Sequence, residues 1–206
     1  MRKGEPSYGH SLSVSLIHPI LSYMVGKGYN SESFCLFASF DKRILQEAEA
    51  RIGEEEFDRL LDSASAFTHD QNFGLHLGQT IELSSLGILG YVLLHCSTIE
   101  EVLAAYRRYN VILCSGIEIE WETSLRETAI LFKVSDPARQ VSRHAIEGMV
   151  SSLYHIILKL SCRNFVLNEL RFAHEAPKES GEYINLLGIN PMFKSSANLI
   201  RLDNEV

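Results

Sequence analysis

The stretch Gly116-Ile117-Glu118-Ile119-Glu120-Trp121-Glu122 decides the fold class. Its apolar and acidic residues alternate with a period of two, which marks a strand with one face on a core and the other in water. Ser124 to Glu127 supply a polar turn, and Thr128 to Val134 follow as a second β-rich run, so a hairpin is predicted, with Trp121 anchoring it to the core. Asp136-Pro137 ends this pair. Beyond it, Phe165 to His174 reads as a further strand with Leu170, Phe172 and His174 on one face, and Phe193 and Asn198 to Leu202 read as short closing strands. A long helix from about Arg139 to Ser161, with the apolar stripe Ile146, Met149, Val150, Leu153, Ile157 and Leu160, lies between strands. A short helix is expected near Ser180 to Leu187.

Toward the N-terminus the period changes from two to three and four. Ile99, Val102, Leu103, Tyr106 and Leu113 share one side of an amphipathic helix, opened by Ser97 and Thr98 at capping-box distance from Glu100 and Glu101. Before it come Phe73-Gly74-Leu75-His76-Leu77-Gly78 and Gly87-Ile88-Leu89-Gly90-Tyr91, where small residues among large apolar ones predict close packing of elements. An acidic helical stretch is expected from Asp41 to His69, buried along Phe57, Leu60, Leu61 and Ala64, with Glu54, Glu55 and Glu56 as a solvated run near a helix N-terminus. Val14 to Val25 reads as a first helix ending at Gly26 and Gly28, and Ser31 and Ser33 open a second, short one. The expected class is therefore α+β: a helical N-terminal half, then a small antiparallel sheet with packed helices in the C-terminal half. Residues 1–13 read as a flexible segment and 14–206 as one continuous domain, with no linker dividing it.

The 206 residues are 46% hydrophobic and 22% charged, ordinary for a globular chain able to bury a sizeable core. A net charge of −7 argues against direct grip on nucleic-acid phosphates. No apolar run reaches the roughly 20 residues of a membrane span. Met1 to His10 lacks the apolar core of a secretory signal. Cys35, Cys96, Cys114 and Cys162 lie far apart, as expected of reduced thiols in a cytoplasmic protein.

On the long helix, His144, Glu147, Gly148, Ser151 and His155 form a second line opposite the apolar stripe. This line either lines an effector pocket, with Gly148 making room for the ligand, or forms a solvated face or a brace against a neighbouring element. His144 and Glu147 at i, i+3 could reach one ion, but neither H-E-x-x-H nor a second histidine–carboxylate pair accompanies them. No nucleophile elbow, phosphate loop or dinucleotide turn is present, so no enzyme activity and no cofactor are expected. Tyr106 and Tyr109 lie on or beside an apolar helix face, and His174 ends a strand; each suits either core packing or a mostly apolar pocket with a few polar contacts.

Taken in order, Phe73-Gly74-Leu75 with Gly78, Gly87 to Tyr91, Ser97 to Leu103 with Arg108-Tyr109, Arg143-His144 with Glu147, Phe172-Ala173-His174-Glu175-Ala176-Pro177, and Tyr183, Asn190-Pro191 and Phe193 to Asn198 resemble a known domain. It is the N-terminal regulatory domain of AraC-type transcriptional regulators, in the subgroup labelled arabinose-binding that is not the cupin-like sugar barrel. The likeness runs from about Val14 to Leu202. It implies an effector-sensing and dimerisation domain in the cytoplasm, with a small-molecule effector of unknown identity, a homodimer, and DNA contacted only through a C-terminal helix-turn-helix domain that does not appear before Val206. The ligand-binding residues expected on this reading are Tyr106, Tyr109, His144, Glu147, Ser151, His155 and His174. Two other readings compete. One is a histidine-dependent metal or haem sensor, or an enzyme, built on His144, Glu147, His155 and His174. The other is a dimerisation domain with no ligand.

Overall fold

The structure is a computed structural model that describes residues 11–47, 49–161 and 165–204. Ser11–Ser13 (β1) pairs antiparallel with Arg51–Gly53 (β2), with Leu12 opposite Ile52. Between them a single 3-10 turn leads into helix Ile17–Gly26 (α1), and Ser31–Phe37 (α2) follows, capped by the Asn30 side chain. Pro19 sits in the first turn of α1, where its missing N–H has no intrahelical partner to lose. Gly28, at φ +86°, takes the left-handed conformation that ends this segment. Helix Glu54–Thr68 (α3) then buries Leu60, Leu61 and Ala64 against α1 and α2, forming a first core with Ile17, Ile20, Met24 and Phe34.

Helices Phe73–Thr80 (α4), Ile88–Leu93 (α5) and Ile99–Leu113 (α6) carry the chain to the sheet. The predicted cap of α6 is present: Thr98 accepts from the Glu101 amide, while the Glu101 carboxylate accepts from the Ser97 amide. Ile117–Thr123 (β3) and Glu127–Val134 (β4) form the predicted hairpin, with Ile119 opposite Phe132. Helix Arg143–Ser161 (α7) follows, then Leu167–Arg171 (β5), helix Glu182–Leu187 (α8) and Asn198–Asp203 (β6). The sheet order is β3-β4-β6-β5, antiparallel throughout. Its inner face (Ile117, Ile119, Ile130, Phe132, Leu170, Ile200 and Leu202) shares a second core with α6 and α7. The fold is α+β, with helices first and the main sheet in the second half.

Four expectations change. The stretch Asp41 to Gly53 is not helical: Asp41 caps a short 3-10 turn, Arg51–Gly53 pairs with β1, and α3 begins only at Glu54. Backbone pairing with a strand 40 residues away in sequence overrides the local helical pattern here. Ser11–Ser13, expected within the flexible segment, is that partner strand; the rest of the segment, 1–10, and Cys162 lie outside the described residues. The long helix starts at Arg143 and not near Arg139, because Asp136 caps a turn at Ala138 and Arg139. Finally, Phe193 forms no strand, and its neighbour Met192 makes only an isolated bridge to Arg171; Asn198–Asp203 (β6) is the expected closing strand, paired on both sides within its sheet. Trp121 is only partly buried; it packs on the second core while the Arg107 guanidinium lies 4.5 Å over its ring.

The two cores meet along α4 and α7. A Cβ on Gly74 would overlap the His144 carbonyl, and one on Gly78 would overlap the Gly148 carbonyl. These glycines let the two helix backbones touch. Gly148 serves the same contact from the other side: the place its Cβ would take is 3.2 Å from the Gly74 carbonyl oxygen. Gly74→Ala and Gly78→Ala should each destabilise the fold by roughly 1–3 kcal/mol in urea titrations, since neither neighbour is a flexible side chain. Gly26→Ala, where a Cβ meets nothing within 4 Å, should be neutral or slightly stabilising.

Candidate functional site

Of the residues singled out on α7, His144, Gly148 and Ser151 face α4, Glu147 turns toward α8, and His155 is half-buried against its own helix. The Gly74 amide donates to His144 Nδ1 at 3.3 Å. Ser151 Oγ donates to the Leu75 carbonyl at 2.8 Å, and the His155 Nδ1–H donates to the Ser151 carbonyl at 2.7 Å. Arg143 donates to the Gln71 carbonyl. The line is thus a hydrogen-bonded brace between two helices.

Glu147 is fully buried at the centre of a polar knot. Tyr183 of α8 donates to its Oε1 at 2.5 Å, and Arg143 Nη1 lies 2.9 Å from the same oxygen. His174 Nε2 approaches Oε1 at 3.4 Å, and His144 Nδ1 stands 3.6 Å from Oε2. Burial alone would raise the Glu147 pKa, but His144, Arg143 and Tyr183 outweigh it and hold the carboxyl below its usual range. His174 stacks on Phe172, and burial pushes its pKa below the usual imidazole value, so it is neutral at neutral pH. Burial likewise lowers that of His155. Among the described residues no group of three or more His, Cys, Asp or Glu is arranged to hold a metal ion.

A cavity of about 110 Å³ lies beside this brace, lined from both cores. Leu61 and Leu77 come from the first core, and Leu113 and Ile117 from the second. Of the predicted residues, Tyr106 and His144 line it, as does Gly148; Tyr109, Glu147, Ser151, His155 and His174 do not. Tyr109 instead packs on the second core, with the Arg108 guanidinium 5.5 Å from its ring. Burial raises the Tyr106 phenol well above its ordinary pKa.

The charged part of the wall escaped sequence reasoning. Arg139, in the loop before α7, pairs with both Glu54 and Asp58 on α3. Glu54 is 3% exposed, so the expectation of a solvated acidic run fails there and holds for Glu55. The reason is tertiary: β2 delivers α3 with Glu54 at its first turn, pointing at Arg139 and filling the space above Gly116. Burial raises the Asp58 carboxyl above its usual range, and Arg139 and the Ser142 amide oppose this only in part. Asp58 Oδ1 and Arg139 Nε are buried without hydrogen-bond partners. The available signal was one arginine following Asp136-Pro137, and nothing in its spacing tied it to an acidic run 85 residues earlier.

Residues 28–206 match the family described as the arabinose-binding domain of AraC transcription regulators, N-terminal. The ornithine utilization regulator of Pseudomonas aeruginosa is 23% identical over 192 residues, covering 93% of this chain and 57% of that protein. The crystal structure of the transcriptional regulator CdpR from Pseudomonas aeruginosa superposes with a TM-score of 0.64 at 17% identity, covering 98% of this chain and 57% of that one. The chain thus spans little more than half the length of these two regulators.

Glu147→Gln should cost roughly 3 kcal/mol at neutral pH, as expected when one partner of a buried ion pair is removed. The pH dependence has a definite sign. A carboxyl held low in the fold contributes stability above its unfolded pKa and loses it as pH falls through the folded value. A neutral, buried His174 acts in the same direction, since folding is disfavoured once the unfolded imidazole protonates. Urea midpoints between about pH 5 and pH 3 should therefore fall more steeply for the wild type than for Glu147→Gln. Parallel curves would contradict this.

Proposed function

The chain belongs to the family of N-terminal arabinose-binding domains of AraC transcription regulators, and from that premise we propose that it senses a small-molecule effector bound in the cavity between its two cores. The supporting observation is the cavity itself. It is mostly apolar, carries a few polar groups including Tyr106 and His144, and is walled by both halves of the fold. A ligand there touches α3, α4, α6 and α7 together, so it favours one arrangement of the halves to the extent that it binds that arrangement better.

The remaining parts of the reading follow the family. The domain acts in the cytoplasm, forms a homodimer and controls DNA binding by a helix-turn-helix region of the full-length regulator; it is not a catalyst. The −7 charge agrees with DNA contact lying elsewhere. No helix among the described residues is long and apolar enough to cross a membrane.

Thermal-shift measurements against small amines, alcohols, carboxylic acids and sugars test the sensing role. A ligand at 100 times its Kd adds about 2.7 kcal/mol, or on the order of 5–10 °C in Tm for a chain of this size. Met149→Trp, which places a large ring in the cavity, should abolish the shift without unfolding the protein. No shift with any class, or a shift unaffected by Met149→Trp, would remove the cavity from the reading. Light scattering should give the mass of two chains, and a monomer at micromolar concentration would refute the dimer.

A further inference from the structure

The cavity wall is chemically asymmetric, and the asymmetry selects among ligand classes. Most of it is hydrocarbon, including Leu61, Leu77, Ile81, Leu113, Ile117 and Met149. The charged exception is the group made by Asp58, Glu54 and Arg139. Asp58 is only 7% exposed, and its counter-charge is incomplete. Arg139 is divided between two carboxylates, Asp62 adds a further acid to the field at Asp58, and Asp58 Oδ1 accepts no hydrogen bond. A buried carboxylate in this condition is short of a donor and of positive charge. Alone, it meets the shortage by holding its proton to higher pH, which is the direction of its shift.

On the reading of this cavity as the effector site, we propose that it selects a small organic amine, with a hydrocarbon body against the leucine wall and an ammonium group donating to Asp58. The ammonium supplies the positive charge that Asp58 lacks, and a turn of the carboxyl group, whose Oδ1 is closed to solvent in this arrangement, brings that oxygen to the new donor. A carboxylate or phosphate of equal size would place a third anion beside Asp58 and Glu54 and is excluded by repulsion. A bare metal ion is a poorer occupant, because no described group of His, Cys, Asp or Glu offers three ligands. The volume of about 110 Å³ limits the body to a short alkyl chain or one ring.

Calorimetry with two matched series tests this: hexylamine, hexan-1-ol and hexanoate, and phenethylamine, 2-phenylethanol and phenylacetate. In each series the amine should bind at least ten-fold more tightly than the alcohol, and the carboxylate should not bind. Asp58→Asn should reduce amine affinity at least ten-fold while leaving alcohol affinity within about two-fold, with Asp58→Ala as the second variant should Asp58→Asn fail to fold. The comparison of probes on the wild type needs neither variant. A carboxylate that binds as tightly as its amine overturns the proposal. So does an amine preference that survives in every folded variant. Equal binding of amine and alcohol, both abolished by Met149→Trp, overturns the amine selectivity and leaves the cavity as the sensing site. Silence from all six probes at millimolar concentration overturns both.

Discussion

The backbone contact between α4 and α7 is the constraint on which the structure depends. Two glycines on α4 and one on α7 remove the side chains that would otherwise hold the helices apart. At this separation no water fits between the helices, so every polar atom at the seam needs a protein partner. The side chains of α7 supply those partners to the backbone of α4 and of the turn before it: Arg143 to Gln71 in the turn, His144 to Gly74 and Ser151 to Leu75 in the helix. The polar line on the helix and the glycines on its neighbour are therefore two halves of one solution. Either without the other would leave buried groups unsatisfied or an unfilled gap.

The same seam joins the two cores. Phe73 and Leu77 of α4 belong to the first core and Leu75 to the second, so one short helix is shared between the halves. Ala145 of α7 packs on both. At one end, Glu147 ties α7 to α8 through Tyr183; on the cavity side, Arg139 ties the approach to α7 back to α3. These two charge clusters differ in kind. Around Glu147 the neighbours outweigh desolvation and the carboxyl is held low. Around Asp58 desolvation prevails and the carboxyl is held high. Each keeps a buried acceptor without a partner, Glu147 Oε2 in the first and Asp58 Oδ1 in the second, but only the second belongs to the cavity wall.

The legible parts of the fold are those governed by short-range periodicity. The alternation through Ile117–Glu122 gave the hairpin, and the three- and four-residue repeats with the Thr98 cap gave α6, because each signal and its cause lie within one element. The close packing expected from Gly74 and Gly78 was also readable, since glycine among large apolar residues has few other uses in a helix. What stayed hidden depends on partners distant in sequence. β2 exists because β1 lies beside it, and Glu54 is buried because Arg139 arrives from a different loop. The helical line from His144 to His155 was identified as a unit, but periodicity names only which residues share a face and not what covers that face. Here the covering is α4 for His144, Gly148 and Ser151 and α8 for Glu147, which is why the cavity receives only His144 and Gly148 from that line.

Placing the cavity next to the seam has an energetic consequence for signalling. A ligand in contact with both cores changes the balance between their arrangements only by the difference in its affinity for each. A purely hydrocarbon contact discriminates weakly, because apolar surfaces tolerate small displacements. A hydrogen bond and ion pair to a buried carboxylate lose strength steeply with misalignment, since the alternative is an unpaired charge in a poorly solvating interior. Asp58 stands on α3 in the first half, whereas its partner Arg139 belongs to the approach to α7 in the second. Any relative shift of the halves changes the distance between them, and therefore the demand of Asp58 for another partner. On the proposed reading, this makes the polar corner of the cavity the part that reports the arrangement of the halves, while the apolar wall supplies most of the affinity.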